Sequence, residues 1–370
     1  MTRPLQLFVL ASALACSHAP VKPVVWPDPP DPPRIRFVQA FRHTDDLDSS
    51  AWASVRRSVF GGSNDPILGQ PMGVAVSADG KRLYIADYGL GAVLVADFSA
   101  RELRLFAGDE PVGKAFNVAL DAEENVYVSD TNGAVVRVFS RAGQLLRSLG
   151  AQQLERPTGI AVDPRRKLLY VSDSSKRKSE NHRVRVFDLG GQWLRDLGAK
   201  EGRPGKGEED GQWYFPTYIA VDPSNGDVYV ADTMNFRIQV FDASGTFKRK
   251  YGENGDAPGT FARLKGLAFD SFGNLYVVDG DHSNVQLFDK QFQPLMFFGG
   301  FARKLEYFDI PSGIAIDPLT NRIYVCNEYI ARINVYELID AKPDDVASGA
   351  KQTAAGQPAD VKNPPARAEQ

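Results

Sequence analysis

Histidine and cysteine are scarce in this chain of 370 residues, which limits the chemistry that it can perform. A catalytic zinc ion needs about three protein ligands and an open coordination position. Only His182 and His282 lie in the repeated part of the sequence, and with Asp281 they would make a weak site, because they fall in separate repeats. His18 and His43 lie outside it. No GxSxG, HExxH or phosphate-binding loop is present, so we predict no catalytic residue, no metal site and no cofactor.

The basic residues are more informative than the net charge, which is -3. A slightly acidic chain lacks the electrostatic footprint of a nucleic-acid-binding protein. Four basic residues nevertheless fall at two equivalent positions of a repeated motif: Lys114, Arg156, Arg263 and Lys265. Three aromatic residues lie at or near the same positions: Phe116, Tyr214 and Tyr218. Because clustered positive charge attracts anionic groups, we predict these seven as ligand-binding residues. The alternative is that the charges are solvated loop residues and the aromatic rings pack their loops.

The motif that carries these residues recurs six times. Its equivalent alanines are Ala75, Ala119, Ala161, Ala220, Ala268 and Ala315, with spacings of 44, 42, 59, 48 and 47. Each copy contains a small apolar run, a β-branched and aromatic run, an alternating run and a run that ends in glycine. Six repeats of four antiparallel strands predict an all-β fold, a six-bladed β-propeller over residues 34–340. Loops that enter the inner strands of a propeller surround a channel mouth, where the seven residues would meet.

The last copy lacks a fourth strand, because the chain passes from its third strand, Arg332 to Tyr336, into a segment of tail composition. An unassigned strand-like run, residues 34–41, precedes the first copy. Placing this N-terminal strand as the outer strand of the last blade closes the ring, with both chain ends in one sheet. Closure of this kind leaves no seam at which the propeller could open.

Two copies show a specific pattern after the second strand. Asp232 is followed by Asn-x-Arg-Ile-x-Val-Phe with Arg237, and Asp173 is followed, after a polar insertion, by the same pattern with Arg183. The last copy repeats it with Arg332 and with asparagine in place of the aspartate. We interpret these residues as structural, since an Asp–Arg hydrogen bond would join adjacent strands across a tight turn. The pattern resembles the NHL repeat, and copies two and five depart from it with valine at the arginine position.

The resemblance implies several functions. NHL propellers serve as interaction modules, and some serve as extracytoplasmic sensor domains. Others resemble peptidyl-hydroxyglycine amidating lyases, which hold zinc in the channel through three histidines; this chain offers two within its repeats. We therefore keep a channel-site enzyme and a sensor module as alternatives to a binding or scaffold module, and expect that the protein is not an enzyme.

The composition of the two ends of the chain predicts its cellular location. Residues 1–15 have the short apolar run and small terminal residues of a signal peptide, too short to span a bilayer. Ala-Leu-Ala before Cys16 resembles the lipobox of bacterial lipoproteins, which implies cleavage there and diacylglycerol on the Cys16 sulfur. Residues 16–33 contain seven prolines and predict an extended linker roughly 50 Å long. Residues 341–370 lack aromatic residues, leucine and isoleucine and predict a disordered tail.

These observations lead to one functional expectation. We predict an exported, monomeric propeller held in the cell envelope by a lipid on Cys16; if the host is Gram-negative, Ser17 implies its outer membrane. It would bind a protein, peptide or glycan through its loop face and channel mouth, and no nucleic acid. The second cysteine, Cys326, lies in a predicted strand and is expected to be a buried apolar side chain.

Overall fold

The computed structural model describes residues 23–28, 30–48, 67–107, 112–175, 179–198 and 205–339. The predicted signal peptide, Cys16 and the predicted tail lie outside these ranges. Two strands, β1 (Val25–Trp26) and β2 (Ile35–Phe41), and a one-turn helix, α1 (Thr44–Leu47), come first. No helix among the described residues is long and apolar enough to cross a membrane.

Six sheets follow in a ring, and the chain runs outward from the channel through each of them. The first blade consists of β3 (Pro71–Val76), β4 (Arg82–Asp87), β5 (Ala92–Asp97) and β6 (Glu102–Leu105). The second blade consists of β7 (Ala115–Leu120), β8 (Val126–Asp130), β9 (Val135–Phe139) and β10 (Leu145–Leu149). The third blade consists of β11 (Pro157–Asp163), β12 (Leu168–Asp173), β13 (Arg183–Asp188) and β14 (Trp193–Asp196).

The remaining blades repeat this arrangement. The fourth blade consists of β15 (Pro216–Val221), β16 (Val228–Asp232), β17 (Arg237–Phe241) and β18 (Phe247–Tyr251), with a 3-10 turn at Thr233–Asn235. The fifth blade consists of β19 (Leu264–Phe269), β20 (Leu275–Asp279), β21 (Asn284–Phe288) and β22 (Pro294–Gly299). The sixth blade contains β23 (Pro311–Ile316), β24 (Ile323–Asn327) and β25 (Arg332–Leu338). The predicted six-bladed propeller of four-stranded blades is confirmed.

The sixth blade takes its fourth strand from the N-terminal part of the chain. β2 pairs antiparallel with β25, from Ile35 opposite Leu338 to Phe41 opposite Ile333. Ile35 and Phe41 are both fully buried. The predicted ring closure by residues 34–41 is therefore confirmed, and it joins both ends of the propeller in one sheet.

Part of the predicted linker is packed on the propeller. β1 pairs with β2 as a fifth strand, Val25 opposite Arg36 and Trp26 opposite Ile35. Trp26 is buried, and its ring lies 5.7 Å from Tyr336 and 6.0 Å from Tyr307, measured between ring centroids. The many prolines of this segment predicted no strand. Val25 and Trp26 nevertheless lie between Pro23 and Pro27, where the backbone N–H groups are available for pairing.

The blades pack face to face through side chains that repeat around the ring. Each second strand places a buried tyrosine between blades: Tyr84, Tyr127, Tyr170, Tyr229, Tyr276 and Tyr324. In four blades the inner strands approach the next blade so closely that a Cβ would clash with its backbone. A Cβ on Gly159 would lie 2.1 Å from the Thr217 carbonyl oxygen in the next blade. We call the face that carries the loops entering the inner strands the upper face; the loops between second and third strands share it.

Candidate functional site

In five of the six blades an aspartate at the end of the second strand organises the upper loop. Asp232 is fully buried and accepts hydrogen bonds from the Tyr214 backbone at 2.7 Å and from Arg237 Nε at 2.8 Å. Asp173 likewise accepts from the Arg156 backbone and pairs with Arg183 at 3.0 Å. These carboxylates bind backbone N–H groups of the loop from the previous blade, so their contacts are those of structural residues.

The sixth blade preserves the same geometry without the carboxylate. Asn327 Oδ1 accepts from the Asp309 backbone at 3.0 Å. Arg332 donates to Asn334 Oδ1 and to the carbonyl oxygens of Lys304 and Tyr307. Arg332 thus fixes the loop that precedes its blade, as Arg237 does in the fourth blade.

Two blades obtain their cation from a position that sequence comparison missed. In the second blade, Arg137 reaches Asp130 at 3.0 Å from two residues beyond the valine that replaces the expected arginine. In the fifth blade, His282 pairs with Asp279 at 3.1 Å from the turn itself. In each case the cation lies near the expected position, so a search over neighbouring residues for Arg or His would have found it.

His282 makes the stability of the fifth blade depend on pH. Its hydrogen bond to Asp279, aided by Asp256 and opposed by partial burial, raises its pKa to about 9. The stabilisation is complete below the ordinary histidine pKa of about 6.5 and is lost as the pH rises through about 9. We expect His282→Gln to be less stable than the wild type by about 2 kcal/mol near pH 6. The difference, measured by urea unfolding, should approach zero by pH 10; a constant difference would contradict the pairing.

The four basic residues of the predicted mouth have different surroundings in the structure. Lys114 Nζ donates to the Tyr88 carbonyl at 3.0 Å and lies over the Tyr88 ring. Arg263 is exposed and lies 3.6 Å from Asp281. Arg156 is half-buried on the loop that Asp173 holds. Lys114 and Arg156 belong to the second and third blades, whereas Arg263 and Lys265 both belong to the fifth, where burial, aided by the charge of Arg263, lowers the pKa of Lys265.

Lys265 lies beneath the surface and joins blades. Its Nζ is 2.5 Å from Glu328 Oε2, and the Lys265 side chain is only 7% exposed. Gln70 Nε2 donates to the other oxygen of Glu328 at 2.9 Å. Burial lowers the pKa of Lys265, and the Glu328 carboxylate opposes that shift. The group links the fifth, sixth and first blades, which makes Lys265 a structural contact instead of a free ligand-binding group.

The channel is closed at its upper end by side chains from opposite sides of the ring. The buried Tyr218 hydroxyl donates to the Met72 carbonyl across the channel at 2.8 Å. The Phe116 ring packs against Tyr218, with 5.5 Å between centroids. Below them, a cavity of about 340 Å³ is lined by the inner strands of all six blades, with Asn117 near its top. The predicted mouth residues Phe116 and Tyr218 therefore meet, and they seal the channel.

Tyr214 stands apart from the channel mouth, over the third and fourth blades. Its ring lies 5.8 Å from His182 and 5.4 Å from Phe215. His182 is fully buried, and this burial lowers its pKa, although the nearby Ser174 backbone opposes the shift. The two repeat histidines thus lie in separate blades with separate neighbours. Among the described residues, no three His, Cys, Asp or Glu side chains gather as a metal site would require.

An open cleft of about 350 Å³ lies on the upper face between the sixth and first blades. Leu90 and Tyr329 form its exposed walls, and Tyr329 is 66% exposed. Its other lining residues are Gly69, Gln70, Gly89, Ile310 and Glu328. The Lys265 contact holds Glu328 in place from below. The cleft therefore combines a rigid polar floor with solvent-exposed apolar walls, and sequence analysis did not nominate it because its residues come from two ends of the chain.

Comparison with known proteins places the repeats in a family. Residues 154–187 and 214–241 match the NHL repeat model. These two segments lie in the third and fourth blades, which therefore carry NHL repeats. Protein brain tumor of Drosophila melanogaster is 31% identical over 134 residues, which are 35% of this chain and 12% of that protein. The chain thus spans about an eighth of the length of that relative.

Two solved structures share the fold of this propeller. A protein of unknown function from Bacteroides thetaiotaomicron superposes with a TM-score of 0.58 and 15% identity, over 74% of this chain and 70% of that one. An auxiliary nutrient binding protein from the same organism gives a TM-score of 0.57 and 14% identity, over 73% and 69%. At these identities the likeness shows the propeller fold alone.

Proposed function

We propose that this NHL propeller is an exported, membrane-anchored module that binds a protein or peptide on its upper face. The carrying observation is the cleft beside Leu90 and Tyr329, because exposed apolar side chains at a rigid, polar-rimmed depression are typical of recognition surfaces. NHL propellers generally mediate protein binding, which supports the same function. A lipid on Cys16 would supply the anchor.

The closed channel favours surface recognition over a deep site. Tyr218 and Phe116 occupy the position at which a ligand would enter from the upper face. A glycan would also fit an aromatic wall, but Leu90, Ile310 and Tyr329 together favour an apolar peptide side chain as the central anchor. The contacts would then be made by loops on a rigid scaffold, with no bond-making step.

Photo-crosslinking in cells tests the proposed face. A photoreactive phenylalanine analogue would replace Tyr329 and, in a matched control, Leu319, which is 68% exposed on the opposite face. We expect a discrete protein adduct from position 329 and none from position 319. Leu90→Asp should abolish that adduct, because a charge in the apolar wall opposes burial, whereas Leu319→Asp should leave it unchanged. Equal adducts from both positions, or none from a folded and anchored protein, would refute the proposal.

A further inference from the structure

Three upper loops share one backbone shape and can be compared residue by residue. They enter the inner strands of the fourth, fifth and sixth blades, and each contains a parallel bridge between residues seven positions apart. The bridged pairs are Lys206 with Trp213, Asn254 with Phe261, and Phe301 with Phe308. The second residue of each pair is a fully buried aromatic side chain. Equal spacing and equal anchoring make the exposed positions equivalent.

The loop of the sixth blade differs from the other two in character. Phe301 is 67% exposed and Leu305 is 60% exposed. At the position of Phe301 the other loops carry Lys206 and Asn254, and at that of Leu305 they carry Asp210 and Pro258. The exposed Arg303 and Lys304 stand where the loop of the fourth blade has Glu208 and Glu209. One scaffold thus presents acidic groups before the fourth blade and apolar and basic groups before the sixth.

The exposed side chains are held on a rigid support. Arg332 donates to the carbonyl oxygens of Lys304 and Tyr307, both at 2.8 Å. Asn334 donates to the Leu305 carbonyl at 2.7 Å, and the Tyr336 hydroxyl donates to that of Glu306 at 2.9 Å. Four successive carbonyl groups are therefore bound by the sixth blade, and the apolar side chains point away from it to solvent.

The N-terminal segment meets the propeller beside this loop. Trp26 packs on Tyr307 with 6.0 Å between ring centroids, and β1 is fixed to β2. Only six residues lie between Cys16 and Pro23 in the sequence, so the two are at most roughly 25 Å apart. A chain anchored through its N-terminus would hold the edge of the sixth blade close to the bilayer.

We propose that residues 301–305, which we call the blade-six rim, contact the interfacial region of a lipid bilayer. Phe301 and Leu305 would enter the boundary between headgroups and acyl chains, while Arg303 and Lys304 would pair with lipid phosphates. Glu306 and Asp309 follow the rim in the same loop and offset its two positive charges, so apolar insertion supplies most of the binding. The inference goes beyond the proposed function and does not require a lipid on Cys16.

Vesicle flotation with the unlipidated full chain, Cys16→Ser, tests the rim. The probes are vesicles of phosphatidylcholine alone and of phosphatidylcholine with phosphatidylglycerol. We expect binding to both kinds, tighter to the anionic vesicles. F301N combined with L305D places the residues of the equivalent loops at these positions, and we expect it to weaken binding about tenfold or more. L319D is the matched control, since Leu319 is equally exposed on the lower face, and it should bind as the parent does.

The remaining outcomes are equally decisive. R303E with K304E should remove the preference for anionic vesicles and keep binding to the neutral ones. Absence of parent binding to either vesicle, or equal binding by the F301N and L305D variant, would overturn the proposal. So would a parent dimer that the variant converts to a monomer, because the rim would then join two copies. The adduct from position 329 should persist in this variant if the rim alone contacts lipid, which separates the two proposals.

Discussion

Replacing Lys265 with methionine is expected to destabilise the propeller by about 3 kcal/mol. The change removes the cation that lies 2.5 Å from Glu328 and leaves a carboxylate with only Gln70 as partner. An unpaired, mostly buried charge costs more than the pair contributes when both members are present. Urea unfolding at neutral pH would measure the loss, which should appear as a lower midpoint with an unchanged slope.

A second variant separates this effect from simple loss of packing. K265M combined with E328Q removes both charges, retains similar shapes and should recover most of the lost stability. If K265M unfolded like the wild type, Lys265 would not join the blades and the earlier expectation of a ligand-binding lysine would return. If the double variant were as unstable as K265M, the charge on Glu328 would not be the cause.

Removing the closing strand is expected to have a still larger effect. A chain that begins at Arg42 lacks β2 and exposes the whole edge of β25, together with the surfaces that Ile35 and Phe41 cover. The loss should rival the stability of a typical domain, about 5–15 kcal/mol, so cooperative unfolding should disappear. Calorimetry would detect this as a broad transition or none.

Two further variants keep that prediction testable if the truncated chain does not fold. Phe41→Ala and Ile35→Ala each empty a fully buried site at opposite ends of β2, and each should cost about 3 kcal/mol. Removal of residues 341–370 is the control for truncation itself and should leave the transition unchanged. A chain without β2 that melts like the full domain would show that the ring closes in another way.

The fold was predictable because its determinants repeat. Six copies of a small apolar strand followed by a buried tyrosine strand fix the blade, and an incomplete last copy shows where β2 must go. Strand β1 was not predicted, because the three residues between Pro23 and Pro27 carry no periodicity, whereas contacts of Trp26 with three aromatic neighbours determine its place.

The candidate site was predictable only in outline. Equivalent positions in the repeat place Lys265, Phe116 and Tyr218 on the channel side, as the structure does. Whether such a side chain is free or paired depends on contacts between blades distant in sequence, such as Lys265 with Glu328 and Gln70. Those contacts follow from the ring, and no local pattern contains them. The cleft beside Tyr329 was not predicted for the same reason, because residues from the first and sixth blades line it.

The attachment of β1 to the closing blade gives the N-terminus a mechanical role. Tension applied through a membrane anchor would reach Val25 and Trp26 first, at a two-residue pairing, and only afterwards the seven-residue strand β2 that closes the ring. Release of β1 would free residues 23–33, whose extended length is roughly 35 Å, and would lengthen the tether without opening a blade. Strand β1 would therefore detach before β2 under tension, and the propeller and its binding face would stay intact.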